Sequence, residues 1–198
     1  MFPDLAERLR IREKKSLWRI RSVVDSPQGS HITIDQHEYL AFTSNDYLGL
    51  ANHPDLVQAV CKGAQRFGVG TGASHMLHGH FGVHHELECA LAQFVGFPAA
   101  LLFSTGYMAN IGVITALVGR EDAIFADKLN HASLNDAALL SRAAFIRYSH
   151  LDLATLQQRL AASRAKRKLV ITDAVFSMEG DRAPISKLIA LCEQYHAM

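Results

Sequence analysis

Cysteine is scarce and poorly placed for covalent or metal work. Cys61, Cys89 and Cys192 are odd in number and form no C-x-x-C pair, which argues against a disulfide scaffold or a zinc ribbon. Reduced, buried thiols in a cytosolic protein are the expected state. Long apolar runs are missing as well. No stretch approaches the roughly 20 residues of a membrane helix, so neither a membrane span nor a membrane partner is expected. The N-terminus is charged, with no secretory apolar region, and Asp4, Glu7 and Glu13 interrupt the basic residues that a transit peptide would need. An excess of one charge is absent too. Twenty Lys and Arg stand against nineteen Asp and Glu, so no global field draws nucleic acid, and any polyanion site must be local. No internal repeat or low-complexity tract occurs.

What is present is apolar material enough for a core, 49% of 198 residues, and a regular alternation of patterns. Residues 3–21 read as a basic amphipathic helix, with Leu5, Leu9, Leu17 and Ile20 among seven Arg and Lys. Short extended runs follow at 23–24, 31–35 and 39–42, with the turn signal Ser26-Pro27-Gln28-Gly29 between the first two. Residues 1–50 therefore read as an N-terminal extension. Residues 51–198 read as an α/β domain. Pro54 opens a helix whose apolar face includes Leu56, Val57, Val60, Cys61, Ala64 and Phe67, and Gly68 stops it. After a glycine-rich loop at 68–82 the pattern becomes helix 83–95, strand 99–103, helix to 118, strand 123–126, helix 131–141, strand 144–148, helix to 163, strand 168–172 and a last helix from 186. Strands that are apolar throughout, alternating with helices, imply a parallel sheet covered on both faces. A covering helix normally leads into a further strand, so the sheet reads as unfinished at Met198 and the chain as part of a longer protein.

Ligands of such sheets gather beyond the carboxyl ends of the strands. Four groups fall there: Ser104-Thr105-Gly106-Tyr107, then residues 127–131, then His150, then residues 173–177. Each alone has an ordinary explanation, Ser104 and Asn130 as helix caps, His131 as a first-turn residue and Ser177 as a turn former. Together they place a glycine at a helix N-terminus suited to phosphate, an aromatic ring, an imidazole and a hydroxyl along one edge, the set an aromatic phosphorylated cofactor requires.

Two other patterns point elsewhere. Gly68-Val69-Gly70-Thr71-Gly72-Ala73 fits G-x-G-x-x-G/A, but it follows a helical pattern where a dinucleotide fingerprint needs a strand. His75, His78, His80, His84 and His85 crowd one stretch, and His85-Glu86-Leu87-Glu88-Cys89 narrowly misses H-E-x-x-H. A zinc site between His75 and Cys89 is the alternative of a different class.

Thr43-Ser44-Asn45-Asp46-Tyr47-Leu48-Gly49-Leu50, Phe103-Ser104-Thr105-Gly106-Tyr107-Met108-Ala109-Asn110, Leu129-Asn130-His131-Ala132-Ser133 and Val175-Phe176-Ser177-Met178-Glu179-Gly180-Asp181 resemble, in sequence and order, the α-oxoamine synthases. The resemblance implies a fold-type-I pyridoxal-phosphate transferase, aspartate aminotransferase-like, in which an amino acid is joined to an acyl-coenzyme A with loss of carbon dioxide. It implies that Gly106 and Tyr107 contact the cofactor, that His131 stacks on its ring and meets substrate, and that Ser177 hydrogen-bonds it. Arg19 falls where the family binds the acyl substrate, with Arg21 a close competitor. Together with the Asp181-Arg182-Ala183-Pro184 continuation, the resemblance points to the biotin-pathway member that takes L-alanine and pimeloyl-coenzyme A or a pimeloyl carrier protein, as a cytoplasmic homodimer; a glycine-using member is the alternative. His75 and His78 depart from family habit, which favours arginine and serine there. The family's Schiff-base lysine and its Asp-x-x-His motif match none of this sequence, whose lysines are residues 14, 15, 62, 128, 166, 168 and 187. The chain alone is therefore expected to hold much of the cofactor wall without a catalytic residue.

Overall fold

The computed structural model describes residues 4–198, in two compact units that divide between Phe81 and Gly82. Pro3, within the expected first helix, lies outside the described residues. In the first unit α1 covers only Leu5–Lys14, shorter than the pattern suggested, and Ser16 just beyond it takes a positive φ of 55°. Strands β1 (His31–Ile34) and β2 (His37–Leu40) form an antiparallel hairpin with His31 opposite Leu40. Its two-residue turn is Asp35-Gln36, with φ of 49° and 62°, the left-handed pair that suits the twist of a tight hairpin. The turn carries no glycine or asparagine to announce it, so the second strand lies earlier than its expected place at 39–42. Helix α2 (Pro54–Phe67) starts with proline in the first turn, and His53 accepts a hydrogen bond from Asp55 N–H as its cap. None of its residues is buried, and Cys61 is exposed. The apolar periodicity correctly gave the helix, but a helical face is buried only by something packed on it.

The second unit opens with α3 (Gly82–Val95) and α4 (Gly106–Leu117), then alternates through β3 (Ala123–Asp127), α5 (Ala132–Ser141), β4 (Ala144–Tyr148), α6 (Leu153–Ala162), β5 (Lys168–Ile171) and α7 (Ile185–Gln194). The three strands form a parallel sheet in the order β4-β3-β5. The chain passes from β3 to its neighbour β4 and then back across β3 to β5. Right-handed crossovers in opposite directions put α5 and α6 on opposite faces. The packing agrees. Ile124 and Ala126 join Leu134, Ala137, Ala138, Leu169, Ile171 and Ile114 on one side, whereas Ala123 and Phe125 join Tyr148, Leu156, Leu160, Phe176 and Leu188 on the other. The period-2 alternation of β3 thus splits one apolar run between two cores, and all five of its residues are buried.

Residues 99–103 do not form the expected strand; they lie outside every ladder among the described residues, and the Leu102 N–H is taken by Glu88 Oε1 at 3.0 Å. An apolar run becomes a strand only when a neighbour accepts its hydrogen bonds. The expected burial of the thiols is also corrected. Cys89 is exposed and Cys192 only half-buried, where burial raises its pKa. At the far end Met198 N–H donates to Lys168 O at 2.9 Å and Val170 N–H to Met198 O at 2.8 Å, a parallel pairing on the outer edge of β5. No helix among the described residues is long and apolar enough to cross a membrane.

Candidate functional site

The carboxyl ends of β3, β4 and β5 lead into the residues that sequence reasoning singled out, and β3 is the point where the strand order reverses, the usual place for a ligand crevice. Helix α4 begins at Gly106 with Thr105, in extended backbone, as its cap: the Thr105 hydroxyl accepts from Met108 N–H at 3.1 Å. Ser104, the expected cap, is one residue too early. The N–H groups of Gly106 and Tyr107 have no acceptor among the described residues, as expected of a first helical turn. A Cβ built on Gly106 would meet nothing within 4 Å. The Tyr107 hydroxyl donates to Asp136 on α5, and this hydrogen bond, followed by desolvation and the carboxylate's charge, raises the tyrosine pKa. Asp136 carried no sequence signal, because nothing in a helical pattern says which acidic residue faces a neighbouring helix.

His131 is the cap of α5, the place expected of Asn130. Its Nδ1 accepts Ser133 N–H at 3.2 Å and lies 2.7 Å from Ser133 Oγ. An Nδ1 that accepts an N–H cannot carry the ring proton, so the neutral ring holds it on Nε2. Asn110 on α4 donates to that same Ser133 Oγ at 2.8 Å, which turns the hydroxyl hydrogen toward the imidazole. The His131 N–H donates to Asp173 Oδ2 at 2.6 Å. Asn130 is buried and serves a different purpose: its amide donates to Ile171 O at 2.9 Å, and its carbonyl accepts from Asp173 N–H at 3.3 Å. The ends of β3 and β5 are thereby fixed to one another, with the exposed His131 ring above the junction.

Ser177 sits in an exposed turn at the tip of a small hairpin, closed by an antiparallel bridge between Val175 and Arg182 and by Phe176 N–H donating to Asp181 O at 2.9 Å. Gly180 in that turn has φ of 75°, a conformation that costs other residues about 1 kcal/mol or more. Below the hairpin, two of the strand-end candidates, Asp127 and His150, join Asp181 in a network for which the sequence suggested no cofactor contact. Asp127, 1% exposed, accepts Leu129 N–H and Leu151 N–H, each at 2.8 Å, and His150 Nδ1 at 2.9 Å. His150 Nε2 meets Asp181 Oδ2, also at 2.9 Å. A carboxylate on each ring nitrogen favours the charged ring, in which both nitrogens donate, and raises its pKa, Asp181 first and Asp127 second. The sequence signal for Asp127 was an acid closing an otherwise apolar strand.

Arg19 is exposed and belongs to the first unit. The Gly68 loop follows α2, the wrong element for a dinucleotide fingerprint. Of the histidine cluster, His75 Nε2 lies 2.7 Å from His80 Nδ1, and His85 Nε2 lies 3.7 Å from Cys89 Sγ. Among the lysines of the second unit, Lys166 pairs with Glu121, and Lys168 donates to Leu160 O and Tyr195 O at the opposite end of the sheet. Lys128 alone directly follows a strand at the carboxyl edge, where it is exposed.

A family profile for aminotransferase class I and II matches residues 37–198. The chain is 65% identical over 197 residues to 8-amino-7-oxononanoate synthase of Nitrosomonas eutropha and 63% identical over 197 residues to that of Nitrosomonas europaea, covering all of this chain and 51% of each relative. It thus spans about half the length of the curated relatives it matches. Among solved structures, a serine palmitoyltransferase from S. paucimobilis with bound PLP-myriocin aldimine superposes with a TM-score of 0.91 at 31% identity, over all of this chain and 50% of that one. The 8-amino-7-oxononanoate synthase of Francisella tularensis gives 0.62 at 33% identity over 76% of this chain and 41% of its own.

Proposed function

The chain belongs to the aminotransferase class I and II family, and from that membership we propose that its sheet edge is one wall of a pyridoxal-phosphate site. The enzyme it serves condenses L-alanine with a pimeloyl thioester and releases carbon dioxide, the reaction of an 8-amino-7-oxononanoate synthase. The observation that carries this reading is the 65% identity to such a synthase over 197 residues, with the strand-end residues of that stretch set along one sheet edge.

The donor set fits the cofactor. Two unspent N–H groups at Gly106 and Tyr107, with open space over the glycine, suit a phosphate, which the positive end of α4 further favours. His131 is held by its cap and by Asp173, so its ring offers a fixed face to a planar heterocycle and an Nε2–H to a substrate carboxylate. Ser177 supplies a hydroxyl donor from the hairpin tip. Arg19 binds the distal carboxylate of the pimeloyl chain, which a guanidinium can hold through two hydrogen bonds. When bound, pyridoxal phosphate supplies the electron sink that lets a bond at the amino acid's α-carbon break. The residues of this chain bind and orient. The lysine that carries the cofactor belongs to the half of the relatives' length that these residues do not span, and the working form is a cytoplasmic homodimer.

The test joins residues 1–198 to the C-terminal half of the Nitrosomonas eutropha relative. The expected result is release of carbon dioxide from L-alanine that depends on pimeloyl-coenzyme A or on a pimeloyl carrier protein, and that falls sharply in His131→Ala. A folded chimera that turns over glycine with acetyl-coenzyme A instead would make 2-amino-3-ketobutyrate coenzyme A ligase the better reading.

A further inference from the structure

The hairpin that carries Ser177 is joined to β5 and α7 by connections of only three and two residues, 172–174 and 183–184, and Phe176 and Ala183 anchor it in the core. Three further contacts tie it to the sheet, and all converge on His150, a residue outside the proposed cofactor contacts. Its Nδ1 and Nε2 each lie 2.9 Å from a carboxylate, one on Asp127 at the end of β3 and one on Asp181 in the hairpin. The buried ring of Phe176, 1% exposed, meets the imidazole edge-on at 4.5 Å between centroids. The backbone completes the frame: Leu151 N–H, next to His150, donates to the second oxygen of Asp127. Asp181 makes the arrangement asymmetric. Its Oδ1 is buried and lacks a partner among the described residues, so His150 is the one cation paired with that carboxylate among them.

We propose that His150 is a positioning residue, a cationic clamp between Asp127 of the sheet and Asp181 of the hairpin that sets where Ser177 stands. The clamp joins a fully buried strand to a segment otherwise held by one bridge, a few backbone hydrogen bonds and the core packing of Phe176 and Ala183. A neutral ring has only one N–H and can satisfy one of the two acids; the other would then face an unprotonated nitrogen and be repelled. The clamp thus holds in the charged state and loosens the hairpin, not the sheet, when it fails. That Ser177 is the group being positioned for a ligand rests on the proposed cofactor site.

The experiment uses the 198-residue chain without cofactor. Nitrogen-15 spectra of the His150 ring are expected to show both nitrogens protonated at pH 7. Asp181→Asn, which leaves the Asp127 contact intact, is expected to speed amide exchange at Phe176, Gly180 and Ala183 by about tenfold or more, the scale of a hydrogen bond to a charged group, while Ile124 and Phe125 exchange as before. His150→Gln is expected to act on the same amides. A neutral ring at pH 7, or hairpin exchange unchanged by Asp181→Asn, overturns the proposal. In the chimera, Asp181→Asn and Ser177→Ala are expected to weaken pyridoxal-phosphate binding non-additively, because one acts through the other; strictly additive losses overturn the link to Ser177. Exchange is read without ligand, so a chimera that binds no cofactor counts against the cofactor reading alone and leaves the clamp to be decided by exchange.

Discussion

Replacing Asp127 by Asn removes a negative charge from one of the most buried positions in the molecule while keeping its shape. The carboxylate is 1% exposed and accepts three donors: Leu129 N–H, Leu151 N–H and His150. Asparagine retains one acceptor oxygen and presents an NH2 in place of the other, so one donor at least faces a donor. Leaving a buried N–H unmet costs about 1–3 kcal/mol, and breaking a buried charge pair from one side costs about 3–5 kcal/mol. These overlap in one network and do not sum, so the expected loss is about 3–4 kcal/mol, a large share of the 5–15 kcal/mol typical of a domain. Native-state amide exchange at Ile124, Phe125 and Ala126, each 0% exposed, reads the loss as opening more than about a hundredfold more frequent. Asp152→Asn is the control, since Asp152 caps α6 through Thr155 N–H at 2.9 Å and asparagine caps nearly as well. A loss below about 1 kcal/mol for Asp127→Asn would refute the charged network, for it would mean that three donors and a buried carboxylate cost nothing to mismatch.

Other expectations are more local. Thr105→Ala removes the cap of α4 and is expected to cost about 1 kcal/mol, read as faster exchange of Met108 and Ala109 with β3 unaffected. Gly180→Ala forces a side chain into φ of 75° and is expected to cost about 1–2 kcal/mol, measured by thermal unfolding against a Gly119→Ala control. The folded pKa of His150 is raised, so its stabilisation is complete below the ordinary histidine value of about 6.5 and disappears as pH rises through the higher folded value. Hairpin protection, corrected for intrinsic exchange, should therefore fall as pH rises through the raised folded value in the wild type and stay flat in His150→Gln. Leu160→Ala, at 0% exposed, is expected to cost about 2–5 kcal/mol by denaturant unfolding.

The helices and strands from 83 onward were legible because their patterns are reinforced by packing from both faces, and three of the four expected strands lie where the apolar runs placed them. The fourth, at 99–103, shows the limit. Periodicity reports what a segment can bury, not whether a neighbouring strand takes up its hydrogen bonds. The exposed face of α2 repeats the lesson for helices. At the candidate site, His131 and Ser177 do follow β3 and β5, whereas the Gly106 corner was reached through an expected strand that does not form, and the caps fall one residue later, at Thr105 and His131, since several polar residues in a row each qualify and only backbone geometry chooses among them. The Asp136 contact and the paired acids around His150 were beyond reach, because they join residues 29, 23 and 31 positions apart with no shared pattern.

A crystal structure of the chimera with pyridoxal phosphate tests the cofactor wall most directly. The phosphate is expected against the N–H groups of Gly106 and Tyr107, the pyridine ring against His131, and the Ser177 hydroxyl on the cofactor. Cofactor lodged away from the Thr105 to Tyr107 corner, or held covalently by Lys128, would contradict it.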